Sequence, residues 1–197
     1  NEMIDTVHTY FGMRKIDFEL SNNSGVPTAL RLNGVARYLR GALYQSYFPE
    51  GIYTAASVET LKRDILHAKN FGFNFLRIHI KVDDPMLLFW ADKLGILLMC
   101  DFPNLGEGGD TLLGRGRFET MVRKTIERDF NHPSIFAWCL FNETWGFGGQ
   151  TSFVDKLQQA GLGPTNIFDR AVVSITVGRG PDDEHLFCNV QRLILRL

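Results

Sequence analysis

The chain has 197 residues, 45% hydrophobic and 12% aromatic, and its 21 basic and 22 acidic side chains leave a formal net charge of -1. That composition excludes a disordered chain, a collagen-like repeat and a polybasic nucleic-acid surface, and a chain of this size buries roughly 70% of its unfolded surface without needing staples. Cys100, Cys139 and Cys188 are too scattered for a disulfide framework or a CxxC pair; no apolar run approaches the ~18 residues of a membrane span, and no charged segment followed by an apolar one marks a signal peptide.

Residues 6 to 18, TVHTYFGMRKIDF, alternate apolar and polar and predict a strand. A turn cluster over 21 to 25 follows, then a short strand with Leu30 and Leu32, and Asn33-Gly34 predicts a hairpin. The first core strand is expected near 36 to 43. Ser57 caps a helix with apolar positions Val58, Leu61, Ile65 and Ala68, and Gly72 supplies its left-handed exit. Strand two is FNFLRIHI, 73 to 80. Asp84-Pro85 starts a second helix that Gly95 closes. Strand three is 96 to 102, a glycine-rich loop runs over 104 to 116, and a third helix through Phe118, Val122 and Ile126 stops before His132-Pro133. Strand four is 134 to 143. Beyond it, a helix is expected at 151 to 160, and 171 to 177 and 185 to 197 suit strand or helix.

The four core strands are almost wholly apolar with helices between them, which predicts a parallel sheet of α/β type. Polar residues gather at their C-terminal ends: Arg77, His79 and Lys81, then Asp101 and Asn104, then Asn142 and Glu143. In a (β/α)8 barrel that face carries the active site, and in a doubly wound sheet it faces the ligand crevice. An apolar rim such as Trp138 and Trp145 raises the pKa of a carboxyl like Glu143 and suits a general acid; the bland alternative has Glu143 capping a helix or pairing with Arg77. A metal site built on His79, His132, Asp101 and Glu143 matches no zinc spacing. The GEGG run at 106 to 109 lacks phosphate-loop spacing, Cys100 and Cys139 read as small core residues, and FGFNF and LLFW read as core.

TYFGMRKI, LNG, YLRGALYQSYFPEGIY, LRIHIK, WADKLGILLMCDFPN, HPSIFAW and FNETWG occur in that order between Asp5 and Gly149, and together this run resembles bacterial members of glycoside hydrolase family 2, the β-galactosidase, β-glucuronidase and β-mannosidase group. The resemblance covers about three quarters of the chain and implies a retaining β-glycosidase on a (β/α)8 TIM-type barrel. On that basis 1 to 20 end an immunoglobulin-like β-sandwich, 21 to 36 form a hairpin into the barrel, 37 to 150 hold its first four or so βα units, and 151 to 197 are a divergent tail. Glu143 becomes the catalytic acid/base and Asn142 the partner of the sugar 2-hydroxyl. Asp101, Asn104, Arg77, His79 and Trp145 line the substrate pocket, with Arg77 equally a counter-ion inside the barrel.

Many relatives place a histidine where this chain has Ile80 and an acidic residue where it has Cys100, changes that bear on substrate choice. Strand starts near 37, 73, 96 and 134 average about 32 residues apart, so a seventh strand, which carries the family's nucleophilic glutamate, is expected near 229, past Leu197. The retaining reaction needs that second carboxylate ~5 Å from the first. The expected partner is a carbohydrate, with no cofactor, metal, nucleic acid or membrane; the rival expectation is a non-catalytic half-barrel that self-associates through open strand edges or weakly binds sugar through Trp138, Trp145 and Asn142.

Overall fold

The computed structural model describes residues 5–20, 27–103, 111–142, 171–179 and 186–194, the last two segments as backbone. In chain order the elements are β1 (Ile16–Leu20), β2 (Pro27–Leu32), β3 (Val35–Arg37), β4 (Gly41–Tyr44), α1 (Val58–Asn70), β5 (Phe75–Ile78), α2 (Pro85–Leu94), β6 (Leu97–Asp101), α3 (Leu112–Asp129), β7 (Ile135–Asn142), β8 (Ala171–Arg179) and β9 (Leu186–Ile194). Two sheets result. β1, β2 and β3 pair antiparallel, whereas β4 to β8 run parallel in chain order, with β9 antiparallel at the far edge.

Local chemistry explains most of these boundaries. Asn33 and Gly34 both take positive φ, 52° and 78°, as a two-residue hairpin turn requires. Ser57 caps α1 by accepting from the Thr60 N–H, Asp84 caps α2 by accepting from Met86 with Pro85 at the first turn, and Gly95 ends α2 at φ 76°.

Three expectations change and one open reading is resolved. Within 6 to 18 only the end is strand; residues 5–15 lie outside any ladder. The expected strand at 36 to 43 is two pieces, because Arg37 still pairs with Leu30 in the small sheet while Gly41 pairs with Phe75 in the large one. The stretch 112 to 116, expected as loop, is the first turn of α3: the Thr111 side chain caps it by accepting from the Gly114 N–H, and Phe118, Val122 and Ile126 bury its face. The tail segments 171 to 177 and 185 to 197, left open between strand and helix, are strand: β8 takes in the first and runs on to Arg179, and β9 lies within the second. The helix expected at 151 to 160 lies outside the described residues.

Both faces of the large sheet are covered, by different things. Leu76, Ile78, Leu98, Cys100, Trp138 and Leu140 share one core with buried residues of α1, α2 and α3. Phe75, Leu97, Met99, Ala137 and Cys139 pack instead with Leu30 of β2, Ile16 and Leu39. With β4 to β7 in simple chain order and all three helices in one core, no topological switch point occurs among these strands.

The N-terminal segment is fastened to the start of β7. Arg14 donates to the carbonyls of Pro133 and Ile135, both at 2.6 Å, and the Tyr10 hydroxyl donates to Asp92 at 2.6 Å. No described helix is long and apolar enough to cross a membrane.

Candidate active site

The parallel register brings the ends of β5, β6 and β7 side by side, with Arg77 opposite Met99 and Asp101 opposite Cys139. At those ends the polar residues form one network. Arg77 Nε donates to both Asp101 oxygens at 3.0 and 3.1 Å, its terminal nitrogen donates to Asp101 Oδ2 at 2.7 Å, and the same nitrogen donates to Asn142 Oδ1 at 2.7 Å. Asp101 also accepts from the Ile80 N–H at 3.3 Å. Its side chain is 0% exposed and that of Arg77 16%, so the pair is a desolvated, bidentate ion pair of the strong kind.

Because the Asn142 carbonyl oxygen faces a cation, its amide is oriented with the NH2 group as the end that donates elsewhere. Ile80 sits at φ 43°, a left-handed conformation that a β-branched residue resists. The Asp101 carboxylate holds that turn from one side; on the other, the His79 N–H donates to the Tyr44 carbonyl at 3.0 Å and its Nδ1 lies 2.8 Å from Gln45 Nε2.

Of the residues singled out from the sequence, Arg77, Asp101 and Asn142 come together, and His79 lies half-buried beside them. Asn104, Glu143 and Trp145 lie outside the described residues. One residue changes role. Trp138, expected to offer a face to sugar, is 1% exposed and stacks on Phe102 in the helix-side core, with ring centroids 5.5 Å apart. Cys100 faces that same core, as its reading as a small core residue expects, since side chains alternate along a strand.

His132 lies before β7, at the opposite end of the sheet from His79 and Asp101. There its Nδ1 is 2.6 Å from Asp92. Burial works against the Asp92 carboxylate, but hydrogen bonds from His132, Ser134 and Tyr10 hold its pKa below the ordinary value. Burial, the hydrogen bond to Asp92 and its charge push the Tyr10 phenol up. Among the described residues no three His, Cys, Asp or Glu side chains cluster as metal ligands would.

Sequence reasoning missed the loop between β4 and α1 and the residue that anchors it, Lys81. Lys81 looked like one more polar strand end, yet it is 4% exposed and donates to the Ser46 and Tyr53 carbonyls at 2.7 and 2.8 Å. The signal available was the aromatic and turn-rich run QSYFPEGIY, followed 28 residues after Tyr53 by an isolated lysine.

No family model matches the chain. A β-galactosidase of Aeromonas hydrophila is 35% identical over 129 residues, which cover 60% of this chain and 12% of that protein. A β-galactosidase of Lactococcus lactis is 31% identical over 145 residues, 70% of this chain and 14% of that protein. Among solved structures, Bacteroides uniformis β-glucuronidase 3 matches with a TM-score of 0.67 at 25% identity, covering 83% of this chain and 21% of that one. The β-glucuronidase of Parabacteroides merdae matches with a TM-score of 0.70 over 88% of this chain and 22% of that one, and at 24% identity it speaks for the fold alone. The chain thus spans 12 to 14% of the length of these two curated relatives. Sequence order, relatives and structural neighbours agree that this chain is similar, over most of its length, to part of the enzymes of glycoside hydrolase family 2.

Proposed function

We propose that the chain contributes part of the active site of a retaining β-glycosidase, with residues 37 to 150 as the first βα units of a (β/α)8 barrel, 21 to 36 as the hairpin leading into it and 1 to 20 as the end of an immunoglobulin-like domain. In this reading Glu143 protonates the glycosidic oxygen as the bond breaks and then deprotonates the attacking water. A second carboxylate supplies the nucleophile. Asn142 donates to the sugar 2-hydroxyl, a bond that strengthens as charge develops at the anomeric carbon. Asp101, Asn104, Arg77, His79 and Trp145 line or orient the pocket.

The observation that carries this reading is the network of Arg77, Asp101 and Asn142. It spans the C-terminal ends of three adjacent parallel strands, the face on which barrel enzymes build their sites, and it orients the amide immediately before Glu143 in the chain. Helices confined to one core favour a barrel over a doubly wound sheet. A second reading, self-association of a sugar-binding half-barrel, draws on β4, which among the described residues pairs only with β5 and leaves Leu43 52% exposed.

The test follows backbone amides by NMR while the 197-residue chain is titrated with methyl β-glycosides of galactose, glucuronate and mannose, beside hydrolysis assays on the matching aryl glycosides. At least one sugar is expected to shift resonances at the ends of β5, β6 and β7, with affinity falling about tenfold in Asn142→Ala, the loss of one well-made hydrogen bond. Any turnover is expected to vanish in Glu143→Gln. A folded chain that binds none of the sugars, or turnover that survives Glu143→Gln, overturns the reading.

A further inference from the structure

Between β4 and α1 the chain builds a loop that the glycosidase reading leaves unused. Phe48 and Ile52 exchange backbone hydrogen bonds of 2.9 and 2.7 Å around Pro49, Glu50 and Gly51. Ile52 lies at φ 55° and is 72% exposed. A β-branched residue held in a left-handed conformation with its apolar side chain in water persists only where the surroundings over-determine it.

Lys81 is what over-determines it. Besides the Ser46 and Tyr53 carbonyls, its ammonium donates to Ser46 Oγ at 2.7 Å and lies 3.6 Å from Asp83, whose other oxygen accepts from Ser46 Oγ at 2.5 Å. The same cation stands 4.5 Å from the Tyr53 ring centroid and 5.9 Å from that of Tyr47. A buried ammonium whose donors are all engaged pins this loop to the turn after β5, because moving the loop would strand the charge.

The pinned loop displays two tyrosines. Tyr47 and Tyr53 are 55% and 49% exposed, and their rings meet at 70° with centroids 6.1 Å apart, forming an aromatic corner. A cavity of about 380 Å³ adjoins Tyr47 and is lined by Gln45, Glu50, Arg63 and Asp64. Gln45 lies 2.8 Å from His79, and the next residue, Ile80, donates its N–H to Asp101, so the cavity connects to the strand-end network through the turn after β5.

We propose that Tyr47 and Tyr53 form a second carbohydrate subsite, one that holds the neighbouring ring of a β-linked oligosaccharide whose terminal sugar sits at Arg77, Asp101 and Asn142. The proposal rests on the glycosidase reading and names its substrate class: an oligosaccharide rather than a lone sugar with a small leaving group. The C–H face of a pyranose stacks on an aromatic ring, while its rim of hydroxyls needs donors and acceptors. Gln45, Glu50, Arg63 and Asp64 supply these beside the corner. Two-torsion side chains on a pinned loop lose little entropy on binding.

The test is calorimetric titration of the 197-residue chain with three ligands that share a terminal sugar: the methyl β-glycoside, the β-linked disaccharide and an aryl β-glycoside. The disaccharide is expected to bind about tenfold tighter than the methyl glycoside, the gain of one or two ring contacts. The Tyr47→Ala, Tyr53→Ala double variant is expected to bring that ratio near one, and the Tyr47→Phe, Tyr53→Phe variant, which keeps both rings, to preserve most of it. Equal affinities in the unaltered chain, or a ratio that survives the alanine variant, overturns the subsite. A gain for the aryl glycoside with none for the disaccharide overturns its carbohydrate character. Absence of binding to all three ligands overturns the glycosidase reading itself and the subsite with it.

Discussion

Arg77 reaches across two strands because a guanidinium can meet a carboxylate with two edges and still present a nitrogen to a third group. Replacing it with methionine would leave the Asp101 carboxylate buried without its counter-ion, and a destabilisation of about 3 kcal/mol is expected in urea unfolding. Arg77→Lys is expected to recover less than half of that, since a single ammonium cannot hold Asp101 and Asn142 together; full recovery would show that charge alone matters there. The residue types at these strand ends were legible in the sequence, and the pairing among them was not. Trp138 shows why. In a strand that is apolar throughout, nothing in the sequence marks which alternate positions face the helices, so a tryptophan four residues before Asn142 read as pocket when it is core.

Elements were legible where backbone chemistry is local. The caps Ser57 and Asp84, the exits Gly72 and Gly95 and the Asn33-Gly34 turn all act within a few residues of themselves, and each is found as its sequence suggests. Gly95→Ala tests this directly. Alanine at φ 76° is strained, and a loss of about 1 kcal/mol is expected in thermal melting without change in the fold's circular dichroism. α3 shows the opposite case. Gly114 and Gly116 each disfavour helix by about 1 kcal/mol, yet the helix starts before both, because burial of Phe118, Val122 and Ile126 and the Thr111 cap outweigh propensity.

At the scale of the molecule, the N-terminal segment is tied to the large sheet through Asp92, which gathers Tyr10, His132 and the Ser134 N–H at the start of β7. The Asp92 carboxyl has a lower pKa folded than unfolded, so its contribution is complete above the unfolded value near 3.8 and fades as pH falls toward the folded one. Asp92→Asn is therefore expected to lower stability by about 2 kcal/mol at neutral pH, with the gap to the unaltered chain narrowing below about pH 4. Melting temperatures of both proteins across that range check it; a gap that stays constant would show that the charge on Asp92 contributes nothing.

The sequence by itself determined the alternation of strand and helix, the caps and turns that bound them, the parallel character of the large sheet and the resemblance to a family, because each of these rests on local periodicity, on backbone preferences or on the order of motifs along the chain. Only the tertiary structure decided which polar residues meet, that Lys81 is an internal anchor rather than a strand-end group, and that Tyr47 and Tyr53 stand together at a corner. Those facts depend on register between strands and on contacts between residues some 25 to 65 positions apart. No local preference encodes them; they follow from how the apolar faces bury.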